Sequence, residues 1–339
     1  MNTPQPIKQD EVFQIYILKL VSRTFALTIP QLPKPLDRTV SNAYLLCRIA
    51  DTIEDDPNLS FKEKHFYSKW FSNLVKKYAP DNKFADELTP KLGNTITNAE
   101  KELIKNCDSV LKITHSLTES ERSAMLECVE AMTIGMVKYQ GKETLKGLND
   151  QEELDLYCYY VAGVVGVMLT KLFLEYGQGW TQTTRQGLET LAISFGQGLQ
   201  MTNIIKDFWA DQKRGACWLP QSVFKPLGVS LDKVDIENIE NFKKGIDQVV
   251  SVAQHHLVNA FKYTTLIPKK EKGIRLFCLW AILMATLTLS KVKNSHDFVR
   301  GRNVKISRTT VSLVIFFSTL CNKSNLLLKI IFRLTTIRI

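Results

Sequence analysis

The stretch AYLLCRIADTIEDD, residues 43–56, sets Asp51 and Asp55 four positions apart among Leu45, Leu46, Ile49 and Ile53. Apolar residues at that period describe one face of a helix, and positions i and i+4 lie one above the other along it. Two like charges on neighbouring turns are mildly unfavourable in an isolated helix. Placed among apolar residues, they call for a cation. Mg²⁺ suits them because it prefers hard oxygen ligands and keeps waters or phosphate oxygens in its remaining positions. The stretch TNIIKDFWADQKRG, residues 202–215, repeats the spacing with Asp207 and Asp211. A lone pair of this kind is common on surface helices, but two copies in apolar sequence narrow the reading. If the two helices face each other across a cavity, bridging Mg²⁺ would cradle a diphosphate between them.

Outward from these motifs almost every segment reads as helix. Proline and glycine are confined to junctions such as residues 30–35, Pro57, Pro80, Pro90, residues 141–147, Pro220 and Pro226. The expected fold is all-α, with roughly a dozen helices. At 339 residues and 45% hydrophobic content the chain can bury a large core, and one domain over residues 1–320 is the simplest organisation. Seven scattered cysteines form no CxxC pair, and the opening MNTPQPIKQDEVF lacks the apolar core of a signal peptide. Both features point to a reducing, cytoplasmic setting without structural zinc. The five histidines (65, 115, 255, 256 and 296) show no metal-ligand spacing and are assigned no role.

The net charge of +10 is uneven, because residues 262–339 hold 15 Lys/Arg against Glu271 and Asp297 alone. Such a segment suits an anionic membrane surface, a phosphorylated ligand or nucleic acid. No nucleic-acid motif accompanies it, so nucleic acid ranks last and is not expected as a partner. The apolar run TVSLVIFFSTL, residues 310–320, is interrupted by CNKSN, and its length falls well short of the ~20 residues a spanning helix needs. It is expected as a buried terminal helix, with residues 321–339 as a basic, apolar C-terminal tail. The second reading rests that tail on the inner membrane face through Lys323, Lys329, Arg333 and Arg338, as a peripheral contact.

Paired Mg²⁺ sites serve a particular chemistry. An allylic diphosphate ionises by losing pyrophosphate, and divalent ions neutralise the charge that builds on the leaving group. The carbocation must then be shielded from water by apolar and aromatic walls, for which Phe25, Tyr44, Phe208, Phe277 and Trp280 are candidates, although aromatics at helical spacing more often pack a core.

Five blocks in order carry a resemblance to the squalene and phytoene synthase family: SRTFALTI (22–29), AYLLCRIADTIEDD (43–56), YCYYVAGVVGVMLTKLF (157–173), GLQMTNIIKDFWADQKRGACWLP (198–220) and FVRGRNVKISR (298–308). The DTIEDD motif and the basic VKI segment look more like squalene synthases than phytoene synthases. The resemblance implies the isoprenoid (terpenoid) synthase fold, a single domain of helices around a large central cavity. It also implies a prenyl transferase that joins two farnesyl diphosphates head to head through presqualene diphosphate and reduces the product to squalene with NADPH. The alternatives are a dehydrosqualene or phytoene synthase without hydride transfer, and a non-catalytic isoprenoid-binding helical protein, which would have no use for paired ionisation sites.

Carried over residue by residue, Asp51, Glu54 and Asp55 match the first Mg²⁺ motif, and Asp207 and Asp211 match the second. Arg23, Arg48 and Lys206 would grip phosphates of substrate or cofactor. At position 206 arginine is usual in the family, and lysine keeps the charge but loses the bidentate fork. Tyr157 matches the tyrosine tied to the proton loss that closes the cyclopropane ring. Ser22, Phe25 and Tyr44 join the substrate set. Along the Tyr157 helix, Val161, Val165 and Leu169 offer an apolar surface on which Gly163 and Gly166 let a prenyl chain or a neighbouring helix come close. Gln200 and Asn203 would supply neutral polar groups. Lys305, with Ser307 or Arg308, matches the basic segment beside NADPH.

Overall fold

The computed structural model describes residues 8–22, 24–77, 83–139, 144–302 and 304–336. Thirteen helices of eight or more residues occur among them, and no strand; Leu148 with Pro220 and Ser230 with Lys233 form isolated bridges only. The chain divides into two compact units. The first is residues 1–140 with Lys171–Tyr176, and the second is Gly141–Thr170 with Gly177–Ile339.

Unit one contains Lys8–Val21 (α1), Leu36–Asp55 (α2), Phe61–Lys76 (α3), Asn98–Lys105 (α4), Cys107–Ser116 (α5) and Glu119–Tyr139 (α6). Sequence signals place several of these starts. Ser60 with Glu63 and Thr97 with Glu100 form reciprocal capping boxes at the N-termini of α3 and α4. Helix α2 lies at the centre, packed by α1, α3, α4, α5 and α6. Its Leu45, Leu46, Ile49 and Ile53 are fully buried, each stabilising the unit by about 1.5–3 kcal/mol relative to exposure. A polar seam fixes its register: Gln14 donates to Asn42 Oδ1 (3.3 Å), Asn42 donates to Thr114 Oγ1 (2.7 Å), and Thr39 donates to Glu121 (2.7 Å). Such buried groups are tolerated only when paired.

The next helices are Gln151–Cys158 (α7) and Val164–Tyr176 (α8), joined by a π-helical turn over Tyr159–Gly163. Unit two then adds Gln182–Lys213 (α9), Ile239–Leu266 (α10), Lys272–Lys293 (α11), Arg308–Cys321 (α12) and Asn325–Thr336 (α13). Thr181 caps the start of α9 by accepting from Thr184 N at 3.1 Å. Helix α9 packs along α10, α11 and the π turn. At its crossing with α8 and that turn there is no room for a side chain. A Cβ on Gly196 would sit 2.0 Å from the Ala162 carbonyl oxygen, and one on Gly166 would sit 2.1 Å from that of Ala192. Of the two uses the sequence leaves open for Gly163 and Gly166, the structure shows the close approach of a neighbouring helix at Gly166.

The expected boundary at residue 320 falls inside α12, and α13 packs on α11 and α12. The rings of Phe261 and Phe332 stack at 4.4 Å, and Thr286 bonds Thr335 at 3.0 Å. Arg275, fully buried in α11, clasps this end. It donates to the carbonyls of Thr264 and Ile267 at the end of α10 and to the side chains of Asn322 and Asn325 between α12 and α13. By length and composition alone Gln151–Tyr176 and Lys272–Lys293 could cross a membrane, but 83% of the apolar window of the second is buried, as in a core helix.

Candidate active site

In unit one the first aspartate motif occupies the last turns of α2. Asp51 is half-buried, Asp55 is exposed and Glu54 is buried. Arg48, one turn before Asp51, pairs with Glu100 of α4 at 3.3 Å. Burial works against the Arg48 charge, but Tyr44, Asp51, Glu100 and Asp55 outweigh it and hold the pKa above the ordinary arginine value. Burial, then the neighbouring Asp55 charge, hold the Asp51 carboxyl up to about 7, with Arg48 pulling the other way and Glu100 raising it further. Among the described residues the Arg48 guanidinium therefore faces three carboxylates. The Arg48 Nε is itself buried without an acceptor among the described residues. Three carboxylates beside a donor that has no acceptor among the described residues fit Mg²⁺ carrying a phosphate group.

The SRTFALTI block lies beside this motif. Tyr44 donates to the Val21 carbonyl (3.1 Å), and its ring lies 5.1 Å from that of Phe25. Ser22 Oγ accepts from the Phe25 N–H at 3.0 Å, tying down the start of the next short helix. Burial raises the Tyr44 pKa, opposed by Arg48. Ser22, Phe25, Tyr44, Arg48, Asp51 and Asp55 thus belong to one neighbourhood, and Arg23 lies outside the described residues. Sequence reading missed two members. Glu100 is signalled only as the far half of the Thr97 capping box. Asp56 accepts from Asn58 N (2.9 Å) and Gly93 N (2.7 Å), so the last aspartate of DTIEDD anchors a loop.

In unit two Asp207 and Asp211 lie one turn apart on α9. Asp207 is half-buried with Lys206 Nζ at 3.0 Å. Asp211 is buried and paired with Arg214, three residues on, while its carbonyl accepts from the N–H groups of Arg214 (2.8 Å) and Ala216 (3.0 Å) as the helix ends. Gln200 is half-buried and Asn203 exposed. Tyr157, at the end of α7, is buried with its ring stacked on Trp218 at 4.1 Å and an interplanar angle of 7°. Trp218 belongs to the quoted block 198–220, but only the fold reveals it as the partner of Tyr157. Val161, Val165 and Leu169 form a half-buried line, whereas Gly163 and Gly166 are buried toward α9.

The aromatic candidates of this unit are core residues: Phe208, Phe277 and Trp280 are all buried, and Phe208 packs on Trp209 and Phe242. Lys305 and Arg308 are exposed. The VKI segment forms no strand, and Arg308 opens α12 behind its cap Ser307, which accepts from Thr310 N at 3.1 Å. Among the described residues no three acidic, histidine or cysteine side chains converge as a ready metal cage. Each motif offers a pair of carboxylates, which matches a Mg²⁺ ion completed by water and phosphate oxygens.

The profile of the squalene/phytoene synthase family matches residues 18–310. Squalene synthase of Saccharomyces cerevisiae is 31% identical over 312 residues, a match covering 89% of this chain and 66% of that protein. Human squalene synthase is 28% identical over 296 residues, covering 86% and 65% respectively. The chain thus spans slightly under two thirds of the length of these relatives. Among solved structures, the complex of TcSQS with the ligand BPH1237 superposes with a TM-score of 0.81 at 23% identity, covering 97% of this chain and 91% of that one. A dehydrosqualene synthase in complex with a ligand gives 0.61 at 20% identity, covering 91% and 95%. These two likenesses establish the terpenoid synthase fold.

Proposed function

This chain belongs to the squalene/phytoene synthase family, and on that premise we propose that it is a prenyl transferase, a squalene synthase that condenses two farnesyl diphosphates through presqualene diphosphate. The observation that carries the proposal is the electrostatic state of the first motif, in which Asp51 is held up to about 7 beside Asp55 and Arg48 keeps a buried Nε that has no acceptor among the described residues. Folding would not sustain such an arrangement for its own stability, and a bound metal diphosphate satisfies it.

Asp51 and Asp55 would hold Mg²⁺ at one motif, with Glu54 as the third acidic member, and Asp207 and Asp211 would hold it at the other. When bound, Mg²⁺ supplies neutralising charge to the departing diphosphate, and NADPH supplies the hydride that completes squalene. Arg48 and Lys206 donate to phosphate oxygens, and Arg23 joins them on the strength of the SRTFALTI block. Lys206 acts as a point charge that Asp207 positions at 3.0 Å. Tyr157 takes part in the proton loss that closes the cyclopropane ring, and its parallel stack on Trp218 fixes the ring plane so that the hydroxyl keeps one direction. The line of Val161, Val165 and Leu169 receives prenyl chain and excludes water from the cation. Lys305 and Arg308, both exposed, meet the phosphates of NADPH.

Purified protein incubated with farnesyl diphosphate and Mg²⁺, with and without NADPH, tests this by mass spectrometry of the extracted lipids. Squalene formed only with NADPH is the expected result. Dehydrosqualene in both samples would move the chain to the reductant-free branch of its family, and no product from farnesyl or geranylgeranyl diphosphate would overturn the enzymatic reading.

A further inference from the structure

Gln197 is a polar side chain that the proposed reaction leaves unused. Half-buried on α9, it donates through Nε2 to the Asp155 carbonyl on α7 at 2.9 Å. Asp155 stands two residues before Tyr157, and its carboxylate accepts from Gln151 Nε2 at 2.8 Å, one turn earlier on the same helix. The backbone explains why this carbonyl takes a side-chain donor. Within an α-helix each carbonyl accepts from the N–H four residues on. At the end of α7 that ladder widens. The Tyr159 N–H is shared between the Asp155 and Leu156 carbonyls, and the Val164 N–H reaches the Tyr159 carbonyl five residues back. A shared N–H serves each of its acceptors less well, so the Asp155 carbonyl gains from a second donor. Gln197 reaches it because the adjoining Gly196 lets the α9 backbone close on the Ala162 carbonyl.

The π turn and the amide thus act together: the widened turn loosens the end of α7, and Gln197 ties that end to α9. Single π turns inside helices recur at functional sites. What the tie holds here is Tyr157. Its stack on Trp218, at 4.1 Å and 7°, fixes the plane of the ring, yet a stacked ring can still slide across its partner. The backbone from which the ring hangs decides where along that plane the hydroxyl stands. We infer that Gln197 is a positioning residue for the prenyl-transfer reaction, holding the end of α7 on α9 so that the Tyr157 hydroxyl stays where it takes part in proton loss. The inference rests on the proposed role of Tyr157 and assigns no chemistry to Gln197 itself. Packing alone would be served by an apolar side chain of the same length, so the amide is the part that matters.

Gln197→Met keeps the length of the side chain and loses the donor. In consumption of farnesyl diphosphate with Mg²⁺, its kcat should fall about tenfold while KM stays within about twofold, since a displaced group costs turnover rather than uniform binding. In the Tyr157→Phe background the same change should cost less than about twofold, because residues that act through one hydroxyl are not additive. Hydrogen–deuterium exchange read by mass spectrometry separates positioning from general weakening. Peptides covering residues 153–163 should exchange faster in Gln197→Met, and those from α10 and α11 at the wild-type rate. Wild-type kcat in Gln197→Met, unchanged exchange at α7, faster exchange throughout the chain, or the full loss repeated in the Tyr157→Phe background would each overturn the inference and leave the role of Tyr157 standing. A Tyr157→Phe protein with wild-type kcat would overturn that role, and the inference with it.

Discussion

At the scale of single residues, Asp51 shows what the first motif demands. Its carboxyl is held up to about 7, chiefly by burial and then by the Asp55 charge. Its folded pKa therefore lies above its unfolded value, so the metal-free folded chain holds an extra proton between roughly pH 4 and pH 7, and stability falls as pH rises through that window. Asp51→Asn removes this dependence. In thermal unfolding without metal the variant should be the more stable protein at pH 8 and gain little near pH 4, while turnover with Mg²⁺ falls about 100-fold or more. A variant no more stable than wild type at pH 8 would remove the electrostatic argument. Tyr157→Phe keeps the ring on Trp218 and loses only the hydroxyl. Its unfolding curve should match wild type while kcat drops about 100-fold or more, and an unchanged kcat would discard its role in proton transfer. The residue pairs were readable in sequence because i and i+4 on a helix are neighbours by construction. Glu100 was not, because its approach to Arg48 depends on how α4 docks against α2.

At the scale of elements, the crossing of α9 with α8 and the π turn depends on backbone meeting backbone. Gly196→Ala would place a methyl 2.0 Å from the Ala162 carbonyl oxygen and 2.8 Å from the Gly163 nitrogen, neither of which can swing aside. The helices must separate, at a cost of about 3 kcal/mol, and calorimetry should show the unfolding midpoint several degrees lower. Gly187→Ala on the same helix is the control. Its new methyl meets only the flexible end of Leu266 at 2.8 Å, so the gain in helix propensity of about 1 kcal/mol offsets the contact and the midpoint stays near wild type. A Gly196→Ala midpoint no lower than that of Gly187→Ala would show that the close crossing does not govern this helix. The sequence announced each helix through its period and caps, but not which face of α9 Gly166 of α8 would meet.

At the scale of the whole molecule, Arg275 holds the C-terminal helices to the rest of unit two. It is fully buried, burial pushes its pKa down, and among the described residues it has no carboxylate partner, only backbone and asparagine oxygens. Arg275→Met keeps the apolar stem but strands those acceptors, so the chain should lose about 3 kcal/mol and become more sensitive to trypsin at Lys323, seen by timed proteolysis. Unchanged cleavage would mean that Phe261, Phe332 and their neighbours hold α13 unaided. Sequence alone determined the helical class, the two aspartate motifs, the family and the charge imbalance, because period, spacing and composition are properties of the chain before it folds. Tertiary structure alone decided the division into two units, the gathering of carboxylates around Arg48, the partner of Tyr157 and the one-sided burial of the last two helices. Each of these depends on which distant residues share a neighbourhood, and burial, pKa and exposure exist only once they do.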